Sequence, residues 1–341
     1  MTKHAIELGI DRFVFSTDGA NGAKSNPVPD LLEEIVRADQ LGINAYGIGE
    51  HHTSEFSDSS PPVLLAAAAA KTENIRLSSA ITILSAADPV RVFEEFATLD
   101  LISGGRAEIV AGRGAYAEAF TLFGMDLAHY DDLYREKLDL LLKLRRGDPV
   151  HWSGRHRPPL NGQIVYPRPI QAELPIWVGA TGSAESFERA GRLGLPLALG
   201  TIGGSFARLR PLIDLYRNAG ARAGHDPKSL RIAIHAIGYV SETTQQAREE
   251  FYPSYYGVFS KIGRQAGWPE LTPSRFDQMT APSEALVVGS ARDVAMKIAS
   301  VDEMYGGIDR FCLQMSVGQM RRDYRLRTIE LLAGDVRKAL T

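Results

Sequence analysis

The sequence predicts an α/β fold, a (β/α)8 TIM barrel with inserted loops that forms one domain over residues 1–341. Three observations carry this expectation. Short apolar, β-branched runs alternate with segments of helical periodicity along nearly the whole chain. Short buried strands separated by helices pair in parallel. Eight such units occur, the number that closes a barrel. A doubly wound open sheet is the competing architecture. It usually has fewer strands and a Gly-rich phosphate turn after its first strand, which is missing here.

Ile6 to Phe15, rich in β-branched and aromatic residues, reads as the first strand. Pro27 to Leu41 is helical, with Leu31, Leu32, Ile35, Val36 and Ala38 to one side. Asn44 to Gly49 is a second strand, and Pro61 to Thr72 a helix with prolines where a first turn tolerates them. Ile75 to Leu84 is a third strand. The helix Val90 to Ile102 follows, closed by Ser103-Gly104-Gly105. Ala107 to Ala111 is a fourth strand, and Asp131 to Leu144 a helix with an apolar stripe. The rhythm then breaks at 150–169, where Pro, Gly and His suggest an inserted hairpin or loop. It resumes with strand Leu174 to Val178, helix Ser183 to Leu193, strand Leu195 to Leu199, helix Phe206 to Ala223 and strand Leu230 to Val240. A helix starts near Ser241. An irregular stretch at 252–282, rich in aromatics, Pro and Gly, is longer than an ordinary β–α loop and reads either as a lid over the barrel mouth or as a static surface or oligomer contact. Helix Ala291 to Tyr305, strand Ile308 to Met315 and helix Tyr324 to Leu340 complete the chain.

Composition narrows the function. The chain is 44% hydrophobic, and 38 basic against 41 acidic residues give a net charge of -3. Neither sign dominates, so no nucleic acid and no membrane surface is expected as a partner. The longest apolar run, Val63 to Ala70, is far too short to span a bilayer, and Met1 to Gly9 lacks the apolar core of a signal sequence. Cys312 is the single cysteine, so no internal disulfide forms. A cytoplasmic protein is the expectation.

The segment Ala45-Tyr-Gly-Ile-Gly-Glu50-His51-His52-Thr53-Ser54-Glu55 is the most telling. An apolar strand stops in a glutamate and two histidines, at the carboxyl end where parallel barrels place their ligands. Imidazole donates, accepts or ligates near neutral pH. Successive strand residues face opposite ways, so at most one of the two histidines points over the mouth. Gly112-Arg113-Gly114-Ala115-Tyr116 follows the fourth strand, where glycines let a guanidinium approach a ligand phosphate or carboxylate; a salt bridge to a helix is the alternative. Gly179-Ala180-Thr181-Gly182-Ser183 opens the helix after the fifth strand and offers N–H groups to an anion. Together with Arg113 it makes a phosphate cradle, to which Gly203-Gly204-Ser205 either adds or is a plain turn. A metal is not expected: the first strand carries no histidine pair, His235 lies inside a late strand and Asp309 starts the last. Trp152, Tyr166 and Trp177 read as packing residues, Cys312 as an inert core residue, and no GxSxG elbow is present.

Taken in order, Glu50-His51-His52-Thr53-Ser54-Glu55-Phe56, Ala87-Asp88-Pro89-Val90-Arg91, Ser103-Gly104-Gly105-Arg106, Gly112-Arg113-Gly114, Phe123-Gly124 and Val288-Gly289-Ser290 resemble the bacterial luciferase-like flavin-dependent monooxygenase family. The resemblance runs through nearly the whole chain. It implies a barrel that pairs as a homodimer and uses reduced FMN with O2 on a small organic substrate such as an aldehyde, ketone or sulfonate. A separate flavin reductase would supply the FMN. It implies His51 as the catalytic histidine beside the flavin ring and Arg113 as a phosphate ligand. Thr181, Gly182, Ser183 and Ser186 fall where the family holds the phosphate. Ser79, Ala80 and Ile81 fall where it often carries a non-proline cis peptide, here placed at Ala80–Ile81. Two departures stand out. Gly112 replaces the reactive cysteine of the light-emitting members, so bioluminescence is not expected. His129-Tyr130-Asp131-Asp132 stands where some members have a second phosphate arginine, with Arg135 as a nearby substitute. An F420-dependent oxidoreductase of the same fold and a non-catalytic flavin-binding protein are the alternative functions.

Overall fold

The computed structural model describes residues 5–18, 24–114, 116–265 and 267–341. Met1 to His4, Ala115 of the Arg113 motif and Ala266 of the segment 252–282 lie outside the described residues. Eight parallel strands form the ring: β1 (Glu7–Arg12), β2 (Ala45–Ile48), β3 (Arg76–Ser79), β4 (Ala107–Gly112), β5 (Ile176–Ala180), β6 (Leu197–Thr201), β7 (Ile232–Ser241) and β8 (Arg310–Ser316). Each pairs with the next, and β8 pairs with β1 to close the barrel. Around it lie α1 (Val28–Gln40), α2 (Pro61–Ala69), α3 (Pro89–Ser103), α4 (Ala117–Leu122), α5 (Tyr130–Arg146), α6 (Ala184–Arg192), α7 (Arg210–Arg222), α8 (Thr244–Gln265), α9 (Pro273–Met279), α10 (Ala291–Tyr305) and α11 (Arg322–Leu331).

The helices form where local chemistry asks for them. The Asp88 carboxylate accepts the Val90 and Arg91 N–H groups at the start of α3, Pro89 occupies its first turn, and Gly104 at φ +66 ends it. The apolar stripe of α5 (Leu133, Leu138, Leu141 and Leu144) is buried against the sheet. The outward strand residues Leu8, Ile10, Tyr46, Ile48, Leu77 and Ile109 meet the helices in one continuous core. The inward residues fill the lumen in layers. At its amino end Arg310 bridges Glu108 at 2.6 Å and Glu7 at 2.7 Å. Above that ionic layer sit Trp177, Val110, Ala198 and Ala233. Burial alone would push the Glu108 carboxyl up, but the Arg310 guanidinium holds it below the usual carboxylate range. The amino end is therefore sealed, and access is from the carboxyl end.

The structure departs from the sequence reading in four places. The third strand is not continuous: it divides into β3 and the short strand Thr82–Ile83, with the Ala80–Ile81 peptide cis between them. Strand β7 outruns the ring, and its last four residues pair with Val287–Ser290, a strand the sequence reading missed. It also missed α4, six residues long. The segment 252–282 is largely helical rather than irregular: α8 continues past Pro253 to Gln265 and α9 follows. Tyr252, Tyr255, Tyr256 and Phe259 recur at helical spacing, and Tyr255 stacks on Phe259 at 4.3 Å while Phe276 of α9 packs on Tyr252 and Tyr255. Aromatic burial outweighs the hydrogen bond that Pro253 removes. The segment 150–169 contains the expected hairpin, Val150–Trp152 antiparallel to Leu160–Gln163. Among the described residues, no helix is long and apolar enough to cross a membrane.

Candidate active site

The chain leaves β2 through Gly49, Glu50 and His51. A Cβ on Gly49 would meet Phe13 at 2.5 Å and His51 at 2.9 Å, so only glycine lets the backbone pass between those rings. His51 is 6% exposed. Its Nδ1 lies 3.1 Å from Oδ1 of Asp58, a fully buried residue whose Oδ2 accepts the Val14 N–H at 2.8 Å. Nδ1 is thus the nitrogen turned to a carboxylate, and Nε2 is the one turned away from it. Nε2 has no partner among the described residues. Phe56 stacks on the ring at 4.0 Å, and Phe13 and Tyr116 meet it edge-on at 4.5 and 5.7 Å. His52 faces the other way: its Nε2 is 3.0 Å from Glu50 Oε1, and Glu50 Oε2 accepts the Ile83 N–H at 2.9 Å. One histidine thus serves the mouth, and the other ties β2 to the continuation of β3.

Next to this corner, Ser79, Ala80 and Ile81 divide their roles. Ser79 is buried, and its hydroxyl accepts the Val110 N–H at 3.0 Å, a bond the interrupted ladder leaves unmade. That side chain is committed to the sheet, so Ser79 can offer a ligand only its backbone. Ile81 reaches across the mouth. A Cβ on Gly112 would lie 2.0 Å from its side chain, and one on Gly179 3.2 Å away. These glycines keep the upper lumen wide enough for Ile81 and, above it, a flat ring.

Beyond the end of β4, charged side chains of α5 and α6 come together along a polar crease. Arg113 donates to Asp131 at 2.7 Å, and its guanidinium lies 5.3 Å from the Tyr130 ring centre. Arg135 pairs with Asp132, and Arg189 with Glu185 at 2.6 Å. Arg135 is thus occupied in an exposed pair of its own helix turn. Thr181 and Gly182 are exposed, Ser183 is half-buried and Ser186 buried at the start of α6. Their hydroxyls have no hydrogen-bond partner among the described residues. The crease therefore joins guanidinium groups, free hydroxyls and a helix start, a donor set that suits a phosphate monoester.

Beneath the mouth the structure brings together Asp11, His235 and Cys312, from the adjacent strands β1, β7 and β8. Two glycines admit them: a Cβ on Gly47 would lie 2.3 Å from Asp11, and one on Gly9 2.5 Å from the Cys312 sulfur. The ligand atoms lie within 4.8 Å of one another, a spacing a divalent cation can span. His235 Nδ1 and Asp11 Oδ2, however, are 2.5 Å apart in a direct hydrogen bond. Burial alone would lower the His235 pKa, but the Asp11 carboxylate holds it well above the usual imidazole value. Burial pushes the Cys312 thiol up. The group is an ion pair beside a neutral thiol.

The structure gives His51 and Arg113, both expected at the barrel mouth, carboxylate partners that the sequence did not indicate. Asp58 lies seven residues beyond His51 in a serine-rich loop without periodicity, so nothing marked it. Asp11 did leave a signal, a carboxylate at an inward position of an otherwise apolar strand.

A family model described as luciferase-like monooxygenase matches residues 11–307. The uncharacterized protein y4wF of Sinorhizobium fredii is 33% identical over 319 residues, covering 91% of this chain and 91% of that one. A flavin-dependent trigonelline monooxygenase, oxygenase component, of Acinetobacter baylyi is 25% identical over 330 residues, covering 92% of this chain and 89% of that one. Among solved structures, the monooxygenase RslO1 of Streptomyces bottropensis superposes with a TM-score of 0.82 at 25% identity, over 96% of this chain and 98% of that one. With a closed eightfold barrel, a histidine held at its mouth and a match across most of its length, this chain belongs to the luciferase-like monooxygenase family.

Proposed function

We propose that the protein is a flavin-dependent monooxygenase that uses reduced FMN and O2 to oxidise a small organic substrate. The observation that carries this reading is the pairing of two features at one mouth. Asp58 presents His51 with Nε2 free, and the loop that brings Tyr116 onto the His51 ring also carries Arg113 of the guanidinium-lined crease. When bound, reduced FMN supplies the two electrons that activate O2. Arg113, Thr181, Gly182, Ser183 and Ser186 would hold its phosphate, and Ala80 and Ile81 would line its ring. His51, through Nε2, takes or returns a proton at the reacting oxygen, and Asp58 stabilises the imidazolium this produces. Phe13, Phe56 and Tyr116 surround the His51 ring and offer an apolar wall to an organic substrate.

No Rossmann unit for a nicotinamide is visible in the sequence, and the Acinetobacter relative is named as an oxygenase component. Both support a separate reductase as the source of reduced FMN. Val63 on α2 and Leu101 and Ile102 on α3 are exposed apolar residues, which supports a homodimer. Lys261 of α8 lies 3.3 Å from Glu55, in the loop that carries His51, which supports α8 as a cover for the mouth.

Calorimetric titration with oxidised and photoreduced FMN, and with F420, tests the cofactor. FMN is expected to bind, and its reduced form to couple O2 uptake to product formation in a mass-spectrometric substrate screen. Failure of both FMN states to bind would overturn the proposal. Binding of F420 with hydride transfer and no O2 uptake would replace it with the alternative activity, and flavin binding without product from any substrate would leave a carrier. Rapid NADH oxidation by the protein alone would remove the reductase.

A further inference from the structure

The crease contains a cation that the family resemblance did not suggest. Arg189, on the inner face of α6, is 7% exposed. Its Nη2 donates to Glu185, while its Nη1 is buried with no hydrogen-bond partner among the described residues. An orphaned donor on a buried guanidinium is costly, so natural sites keep one chiefly where something else comes to meet it. Side chains on a helix lean toward its amino end, and the contact with Glu185 shows that this one does: the guanidinium lies at the first turn of α6, beside Ser186. Its central carbon is 5.6 Å from the ring centre of Tyr134 on α5. Tyr134 in turn donates to the Ala111 carbonyl at 3.0 Å, two residues before Arg113. Burial raises the Tyr134 hydroxyl above its usual value, and the positive charges of Arg189 and Arg113 both act against that rise. Arg189 lies against the Tyr134 ring, and Arg113 acts on the same hydroxyl through its charge.

We propose that Arg189 is the second phosphate-binding cation of this site, entering from α6 where other family members bring an arginine from the segment here occupied by Asp131 and Asp132. The inference rests on the FMN reading above. Arg113 reaches the crease from the end of β4, and Arg189 from the last turn of α6, its side chain directed back toward Glu185. A phosphate monoester at the α6 amino terminus would exchange with the exposed Glu185 carboxylate for the Arg189 guanidinium, which turns to present the enclosed Nη1 as a further donor. Arg135, paired with Asp132 in the exposed turn, is not needed for this role.

The test is a comparison of FMN with riboflavin, which has the same ring and lacks the phosphate. Binding is measured by fluorescence quenching on Arg189→Gln, with thermal melts to verify folding. FMN affinity is expected to fall tenfold or more, and riboflavin affinity to change less than twofold. Equal loss for both ligands, or no loss for FMN, would overturn the assignment. Should Arg189→Gln not fold, Glu185→Gln takes its place, because Glu185 is largely exposed and its carboxylate competes for the same guanidinium. FMN should then tighten at least twofold relative to riboflavin, and an unchanged ratio would overturn the assignment. Wild-type protein that binds neither ligand would refute the flavin reading itself, an outcome distinct from both.

Discussion

The two sides of the barrel mouth hold their functional groups in opposite ways. His51 is enclosed: Asp58 grips one nitrogen, Phe56 covers one face, and the Asp58 carboxylate is itself anchored to the Val14 N–H. Arg113, Arg135 and Arg189 each hold a carboxylate of their own, and those carboxylates are largely exposed. A group that must sit within hydrogen-bond reach of a reacting atom gains from being immobile before the ligand arrives. A group that only attracts a phosphate can wait in a weak ion pair and exchange it. In the function proposed above, the first side serves the chemistry and the second exchangeable binding.

The largest effect should come from the immobile side. His51→Ala is expected to lower product formation per reduced FMN by about 100- to 10,000-fold, the range for loss of a positioned acid–base group. FMN affinity should stay within a factor of about three, since phosphate attraction lies elsewhere. Single-turnover product analysis and calorimetry measure the two quantities. A large loss of affinity with little loss of turnover would invert the contrast between the sides.

Arg113→Met is the matching perturbation of the exchangeable side. A hydrogen bond to a charged group is worth about 1.5–3 kcal/mol, so the FMN dissociation constant should rise by about 10- to 100-fold. Riboflavin should be unaffected, and turnover should recover at saturating FMN. If turnover stays low at saturation, Arg113 does more than bind.

The pair under the mouth sharpens the comparison, because it is buried like His51 and charged like the crease. Asp11 raises the His235 pKa above its unfolded value of about 6.5. Folding then takes up a proton between the two values. The contribution of the pair is complete below about pH 6.5 and is lost as pH rises through the raised value. Burial lowers Lys137 and Lys297 to about 8, which gives the opposite trend in alkali, so the wild-type slope alone is ambiguous. The difference in denaturation midpoint between wild type and His235→Gln isolates the pair. It should shrink from pH 6 toward pH 10, and a constant difference would mean that His235 is held by packing rather than by its charge.

Periodicity carried most of the fold into the sequence. Each of the eight strands and the large helices announced itself by a run or a stripe, because both are answers to one question of burial. Where a local breaker opposed a longer pattern, the reading failed: Pro253 hid the aromatic stripe of α8, and the split of β3 left no mark beyond the family likeness. Candidate site residues were legible where a chemically loaded residue follows a strand end, as with His51 and Arg113. Their supporting partners were not. Asp58, Asp131 and Arg189 reach their places by loop paths and helix rotation, which no spacing in one sequence encodes.

The smallest expected effect discriminates most sharply between the two sides. Asp131 is 50% exposed and holds Arg113 at 2.7 Å. An exposed pair of this kind is worth about 0–1 kcal/mol. If it only competes with phosphate, Asp131→Asn should tighten FMN by up to about fivefold and leave riboflavin unchanged. The gain should fade as salt is added, because screening weakens the competing pair in the wild type. Titrations of both ligands at low and high ionic strength measure this. The opposite result, weaker FMN in the variant, would mean that Asp131 orients Arg113 as Asp58 orients His51. The crease would then be a preorganised site as well, and the distinction between a pinned side and an exchangeable side would fail.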